Sequence, residues 1–149
     1  MVTRAVFIIA FVASVAVADP AQYLDCGSSA KLHSVDVTPC PAGVTYAVLV
    51  RGENASIAVT FTTEKVANSV VAVVHAIVAG VPLPFPLPNP DGCQDSGLEC
   101  PLNSSTPYTY TNTVPVQSGY PKIKLVVKLE LKDRKGDNIV CTAFPAEIY

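Results

Sequence analysis

The side chains best equipped for chemistry in this sequence are five cysteines, Cys26, Cys40, Cys93, Cys100 and Cys141, and two histidines, His33 and His75. Thiols bind metal, attack substrates or close into disulfides, and spacing separates these uses. Zinc needs paired ligands such as C-x-x-C with a matching pair. No such pair occurs and both histidines stand alone, so no metal site is expected. Cys40 sits in Thr38-Pro39-Cys40-Pro41, with no cation beside it in sequence to stabilise a thiolate, which argues against an activated nucleophile. His75, inside an apolar segment, reads as a hydrogen-bonded structural residue. Asp25, Asp91, Asp95 and Glu99 lie near cysteines in turns, where capping and solvation are their ordinary roles. The G-x-S-x-G, H-E-x-x-H, P-loop and G-x-G-x-x-G patterns are all missing. The chain therefore reads as a non-enzyme that needs no cofactor.

What is left for the thiols is bridging. Cys93 and Cys100 bracket a short polar loop and are the natural local pair. Cys26 and Cys141 lie near the two ends; a bridge between them would stabilise the fold by about 5 kcal/mol on the loop-entropy account, though spacing leaves that pairing open. The first residues supply the oxidising compartment such bridges need. Arg4, the apolar run from Ala5 and the small residues Ala16 and Ala18 form a signal peptide over 1–18, cleaved after Ala18. Residues 19–149 are then one secreted domain with one core. A formal charge of −2, with no basic run, points away from nucleic acid. Asn54-Ala55-Ser56 and Asn103-Ser104-Ser105 are glycosylation sequons, expected on exposed loops or strand edges.

The elements that must position these groups are strands, because alternation dominates over helical period. Ile57, Val59 and Phe61 face one way in the segment from Ser56 to Thr62. Leu125, Val127, Leu129 and Leu131 do the same in the segment from Lys122 to Lys132. Further strands are expected at Lys31 to Val37, Thr45 to Val50, Ser69 to Val78, Tyr108 to Thr113 and Ile139 to Phe144. The polar run Asp133 to Asn138 turns the last two into a hairpin. Ser69 to Val78 is apolar on both parities, as in a strand covered on both faces. About seven short strands predict an all-β, immunoglobulin-like antiparallel two-sheet sandwich, without the Cys-Trp-Cys signature of true immunoglobulin domains.

Two proline-rich segments carry the functional signal. In Gly80 to Cys93, Pro82, Pro84, Pro86, Pro88 and Pro90 alternate with Val81, Leu83, Phe85 and Leu87. Residues of one parity share a side-chain face and a hydrogen-bonding edge. The apolar residues can therefore face the interior and donate N–H groups to one neighbour, while the prolines leave the other edge without donors. That edge cannot recruit another strand, and an open apolar-lined edge suits the mouth of a ligand pocket. The second segment holds Val114, Val116 and Tyr120 beside Pro115 and Pro121. Tyrosine suits a pocket rim, with an apolar body and a polar tip.

The residues Asp25 to Gly27, Thr38 to Pro41, Val59 to Thr62, His75 to Cys93, Tyr108 to Val116 and Tyr120 to Val127, with Cys100-Pro101 and Cys141, closely resemble the ML (MD-2-related lipid-recognition) family. Within it the nearest similarity is to the secreted Niemann-Pick type C-2 sterol carriers. The resemblance covers essentially all of 19–149. It implies an apolar ligand, a sterol or fatty acid, held between two sheets, with no catalysis; the carrier itself is expected to be a monomer. The resemblance places ligand contacts at Phe85, Val116 and Tyr120; Val81 and Leu83 from the alternation of the proline run, and Leu129, are weaker candidates. It also implies the bridges Cys26 with Cys141 and Cys93 with Cys100.

Two departures stand out. The family's third bridge would join Cys40 to a cysteine a few residues on, and the following segment contains none. Cys40 is thus expected to stay outside any bridge within the chain, or to bridge between molecules. Leu129 stands where vertebrate sterol carriers have tryptophan. Transport by way of a secreted or endosomal and lysosomal compartment, with a membrane or receptor accepting the lipid, is the leading expectation. An innate-immune lipid-recognition module and a semiochemical carrier are the alternatives. Lys122, Lys124 and Lys128 are too few to require an anionic lipid.

Overall fold

The computed structural model describes residues 22–41 and 43–149, and the signal peptide expected at 1–18 lies outside them. Among the described residues nine strands make up the regular structure: β1 Leu24–Asp25, β2 Lys31–Thr38, β3 Ala47–Leu49, β4 Asn54–Thr63, β5 Val71–Val78, β6 Val81–Phe85, β7 Thr106–Pro115, β8 Lys124–Lys132 and β9 Asn138–Ile148. They form two sheets. The larger runs β1-β9-β8-β5-β6, with β3 also on β9, and the smaller runs β2-β4-β7. Among the described residues there is no helix. The all-β two-sheet sandwich read from alternation is the fold observed.

Alternation carries through where both faces have a distinct environment. In β4 the inward residues Ile57, Val59 and Phe61 are buried and the residues between them are not. In β8 the inward set is Leu125, Val127, Leu129 and Leu131. The β8–β9 hairpin closes at the expected turn, where the Asp133 carboxylate accepts hydrogen bonds from the N–H groups of Lys135 and Asp137.

Two expectations need correcting. The sandwich is not wholly antiparallel, because β3 pairs parallel with β9, Ala47 opposite Ala146 and Leu49 opposite Ile148. The chain leaves the large sheet after β1, runs through β2 in the small sheet, and returns along the far end of the same β9 edge. The second correction concerns β5. It is central, between β8 and β6, but its outward residues Val73, His75 and Ile77 are only half-buried and Val71 is exposed. Among the described residues no second layer covers the outer face of the large sheet.

That outer face holds a charged cluster. Glu130 is nearly buried there, 3.1 Å from Lys132 Nζ, 3.6 Å from Lys128 Nζ and 3.9 Å from His75 Nδ1. Burial opposes its charge, but the hydrogen bond from Asn138 and the ammonium groups of Lys132 and Lys128 outweigh it and hold the pKa below the ordinary 4.5. Because the folded value is depressed, the carboxylate stabilises the fold at neutral pH. That contribution is lost as pH falls through the folded value, below 4.5. Glu130→Gln is expected to cost about 1.5 kcal/mol at pH 7 and to flatten the acid limb of a stability–pH curve. A variant as stable as the parent at pH 7 would contradict this.

The β5–β6 hairpin turns on two residues, Ala79 at φ 48° and Gly80 at φ 79°. This is the left-handed pair that matches strand twist, and it favours Asn-Gly. Alanine is strained at the first position. Ala79→Asn is therefore expected to raise stability by ~0.5–1 kcal/mol, read as a higher urea midpoint, and an unchanged midpoint would count against it.

The bridges are Cys26–Cys141 and Cys93–Cys100. The first ties the end of β1 to β9 within the large sheet, and the second closes the loop between β6 and β7. Neither of them joins the two sheets. Cys40 stands outside both, its Sγ 3.9 Å from the carbonyl oxygen of Tyr46.

Candidate functional site

Strand β6 positions the site. Val81, Leu83 and Phe85 stand opposite Val78, Ala76 and Val74, while Pro82 and Pro84 stand opposite Ile77 and His75. Prolines have no N–H, so the hydrogen-bonded pairs of this ladder fall at Val81, Leu83 and Phe85. The far edge of β6 lacks those donors and ends the sheet, as the proline spacing implies.

Exposure along β6 is graded. Phe85 is 8% exposed, while Val81 and Leu83 are 56% and 47% exposed. The three-stranded sheet is smaller than the six-stranded one, and exposure rises along β6 toward the hairpin tip at the sheet's edge. The interior reading of this parity therefore holds for Phe85 and not for Val81.

Between the sheets lies an apolar cavity of about 30 Å³. Its walls come from both sheets: Val37 and Ile57 of the small one, Val74, Phe85, Val127 and Phe144 of the large one, with Leu49, Val114 and Leu129. On the other side of Phe85 a hollow of about 130 Å³ opens to solvent, lined by Leu83, Tyr120, Pro121, Ile123 and Leu125. Among the described residues Phe85 is the single one common to both linings. Its ring meets that of Tyr120 at a centroid distance of 5.3 Å and an angle of 55°, within the range of favourable tilted aromatic contacts. Phe85 thus borders both the apolar cavity between the sheets and the hollow that opens to solvent.

The sequence candidates distribute as follows. Phe85 and Leu129 wall the inner cavity, and Leu83 and Tyr120 line the outer hollow. Val116 is buried beyond the end of β7, exchanging backbone hydrogen bonds with Gly52 and Glu53, and lines neither. Val114, two residues earlier, lines the inner cavity instead. Val81 lines neither hollow. Sequence reasoning missed Val37, Ile57, Val74, Val127 and Phe144 as wall residues. Their inward parity was the available signal, but it marks core and cavity alike.

Among the described residues no acidic or basic side chain lines either hollow, and the Tyr120 hydroxyl is the polar tip at the outer one. Among the described residues no cluster of histidine, cysteine, aspartate or glutamate has the makings of a metal site. The arrangement is suited to holding an apolar body out of water. The family model of the ML domain matches residues 21–148. The chain belongs to the ML family. ML-domain relatives include the NPC intracellular cholesterol transporter 2 of Bos taurus, 43% identical over 134 residues that cover 89% of this chain and 88% of the relative. Homolog a of the same transporter from Drosophila melanogaster is 41% identical, covering 95% and 96%. The Niemann-Pick type C2 protein of the Japanese carpenter ant superposes with a TM-score of 0.80 at 29% identity, over 86% of this chain and 99% of that one. The ML fold thus accounts for the whole sandwich, both sheets and the cavity between them.

Proposed function

We propose that this ML-domain protein carries a sterol, or a fatty acid of similar bulk, between its two sheets and passes it to an acceptor without catalysis. The observation that carries this reading is a pair of apolar linings that meet at Phe85, one opening to solvent beside Tyr120 and the other reaching Leu129 and Phe144 in the interior. The ML relatives whose names describe cholesterol transport support the choice of a sterol. Removing apolar ligand surface from water supplies about 25 cal/mol per Å² before the costs of association.

The cavity of about 30 Å³ holds no more than a water molecule, whereas ligand sites run to roughly 300–1,000 Å³. Binding therefore requires the sheets to part and the Phe85 ring to swing out of the path. Both are permitted by the covalent frame, since neither bridge ties one sheet to the other. The exposed Val81 and Leu83 stand on the hairpin beside the mouth, where an accepting membrane or receptor would meet them. The disulfides fit an oxidising compartment, so the protein works in secreted fluid or an endosomal or lysosomal lumen. Native mass spectrometry of protein secreted by a eukaryotic host tests this. One sterol or fatty acid per chain is the expected adduct, and a chain that neither carries nor takes up either lipid would overturn the reading.

A further inference from the structure

The outer face of the small sheet carries a further concavity, a groove of about 560 Å³ lined mostly by polar residues. Its floor is laid by the strand register. Thr38, Ser56 and Thr113 form one row across β2, β4 and β7, and Asp36, Ala58 and Thr111 form the next. The small Ala58 side chain lowers the centre of that second row. The wall is the loop after β6, contributing Pro88, Asn89 and Asp95. That loop is fixed against β7. The Thr111 N–H donates to Ser96 O at 2.8 Å, and Asn112 Nδ2 donates to Asn89 O at 3.0 Å. Gly97, at φ 81°, lets the backbone pass so close that a Cβ would stand 2.9 Å from Thr109 O. The groove is therefore preformed.

One end of the groove is Asn54. Asn54 opens the central strand β4, and alternation turns Asn54 and Ser56 outward with Ala55 buried between them. The sequon Asn54-Ala55-Ser56 thus lies in the groove, with its acceptor amide at the end of the floor. From the Asn54 row to the Ala58 row the strand advances about 14 Å, room for the first two sugars of an N-linked chain. Carbohydrate asks for hydroxyl, carboxylate and amide partners along its edges and a flat, small floor beneath its ring. Thr111, Thr113, Asp36, Asn89 and Ala58 supply them.

We propose that Asn54 bears an N-linked glycan whose core N-acetylglucosamine units lie in this groove. The proposal rests on passage through the secretory pathway, as in the function proposed above. The other sequon, Asn103, sits in the loop before β7, where Thr63 Oγ1 donates to its carbonyl oxygen at 2.7 Å, and it does not line the groove. A glycan seated from Asn54 covers the outer face of the small sheet. The mouth at Phe85 and Tyr120 belongs to the edge of the large sheet and stays uncovered, so the sugar leaves lipid exchange unobstructed.

The full chain, secreted from a eukaryotic host, is treated with peptide N-glycosidase under native conditions, and conversion of Asn54 to aspartate is followed by peptide mass spectrometry. The same is done with an Asp36→Ala, Thr113→Val variant, whose changes are exposed and leave intact both the core and the Thr111 hydroxyl's bond to Ser96 O that helps hold the wall. Occupied Asn54, with native release at least about tenfold faster in the variant than in the parent, is expected, the size of one lost hydrogen bond to a charged group. An unoccupied Asn54, or equal release rates in parent and variant, would overturn the proposal. Sterol binding measured on the same preparations reports on the lipid site separately, so either result leaves that reading standing or falling on its own.

Discussion

Replacing Phe85 with alanine is expected to weaken sterol binding at least about tenfold, the loss of more than 1.4 kcal/mol, and to lower stability by about 3 kcal/mol. Among the described residues Phe85 is the one side chain that borders both the inner cavity and the mouth, and its outer face is closed by Tyr120. Truncation removes ring contacts that a bound apolar ligand would share and joins the two hollows into one open channel, so release should quicken. The stability cost falls at the low end for a buried phenylalanine because the ring already borders two partly empty spaces. Phe85→Leu separates the two effects, since a smaller loss of volume keeps stability within about 2 kcal/mol of the parent while the flat ring is still lost. Sterol titration and urea unfolding on both variants provide the check. Parent-like affinity in Phe85→Ala would remove Phe85 from the site.

The second large effect is covalent. Exchanging both Cys26 and Cys141 for serine should cost about 5 kcal/mol on the chain-entropy account, because the bridge spans 115 residues. The same exchange at Cys93 and Cys100, separated by 7 residues, should cost about 2 kcal/mol. The long bridge fastens the short β1 to β9, and β9 is the strand that both β1 and β3 pair with. Without it, both strands should loosen from that edge. Denaturant unfolding of the two double variants reads the difference directly. If the short bridge proved as costly to remove as the long one, loop length would not be what sets their worth.

Much of this was legible in the sequence, and the reasons differ from residue to residue. Strands β4 and β8 declare themselves because the inward face of each is buried while the outward face is more open, apart from Glu130 of β8, so parity and burial largely coincide. The edge role of β6 is written in its prolines, which permit only one ladder. The parallel pairing of β3 was not legible. A three-residue strand has no periodicity, and its direction is set by where the chain re-enters the large sheet. The covering of β5 was misjudged because apolar side chains on both parities do not reveal whether a second layer exists. At the site, Phe85 and Tyr120 stand out by their position beside prolines, but which linings they border depends on how two sheets meet. Val114 and Val116 share a parity around Pro115, and only the turn after β7 decides which of them reaches the cavity.

Lipid transport by this ML domain rests on a ligand lying between the sheets, in a space that is now almost closed. The most direct test is a titration of delipidated protein with a fluorescent sterol, using the Leu129→Trp variant as an energy donor in the cavity wall of a chain that has no other tryptophan. Saturable energy transfer at one sterol per chain, reversed by competing cholesterol, is the predicted result. A sterol that binds without energy transfer, or no saturable binding at all by the variant and the parent alike, would contradict a ligand held between the two sheets.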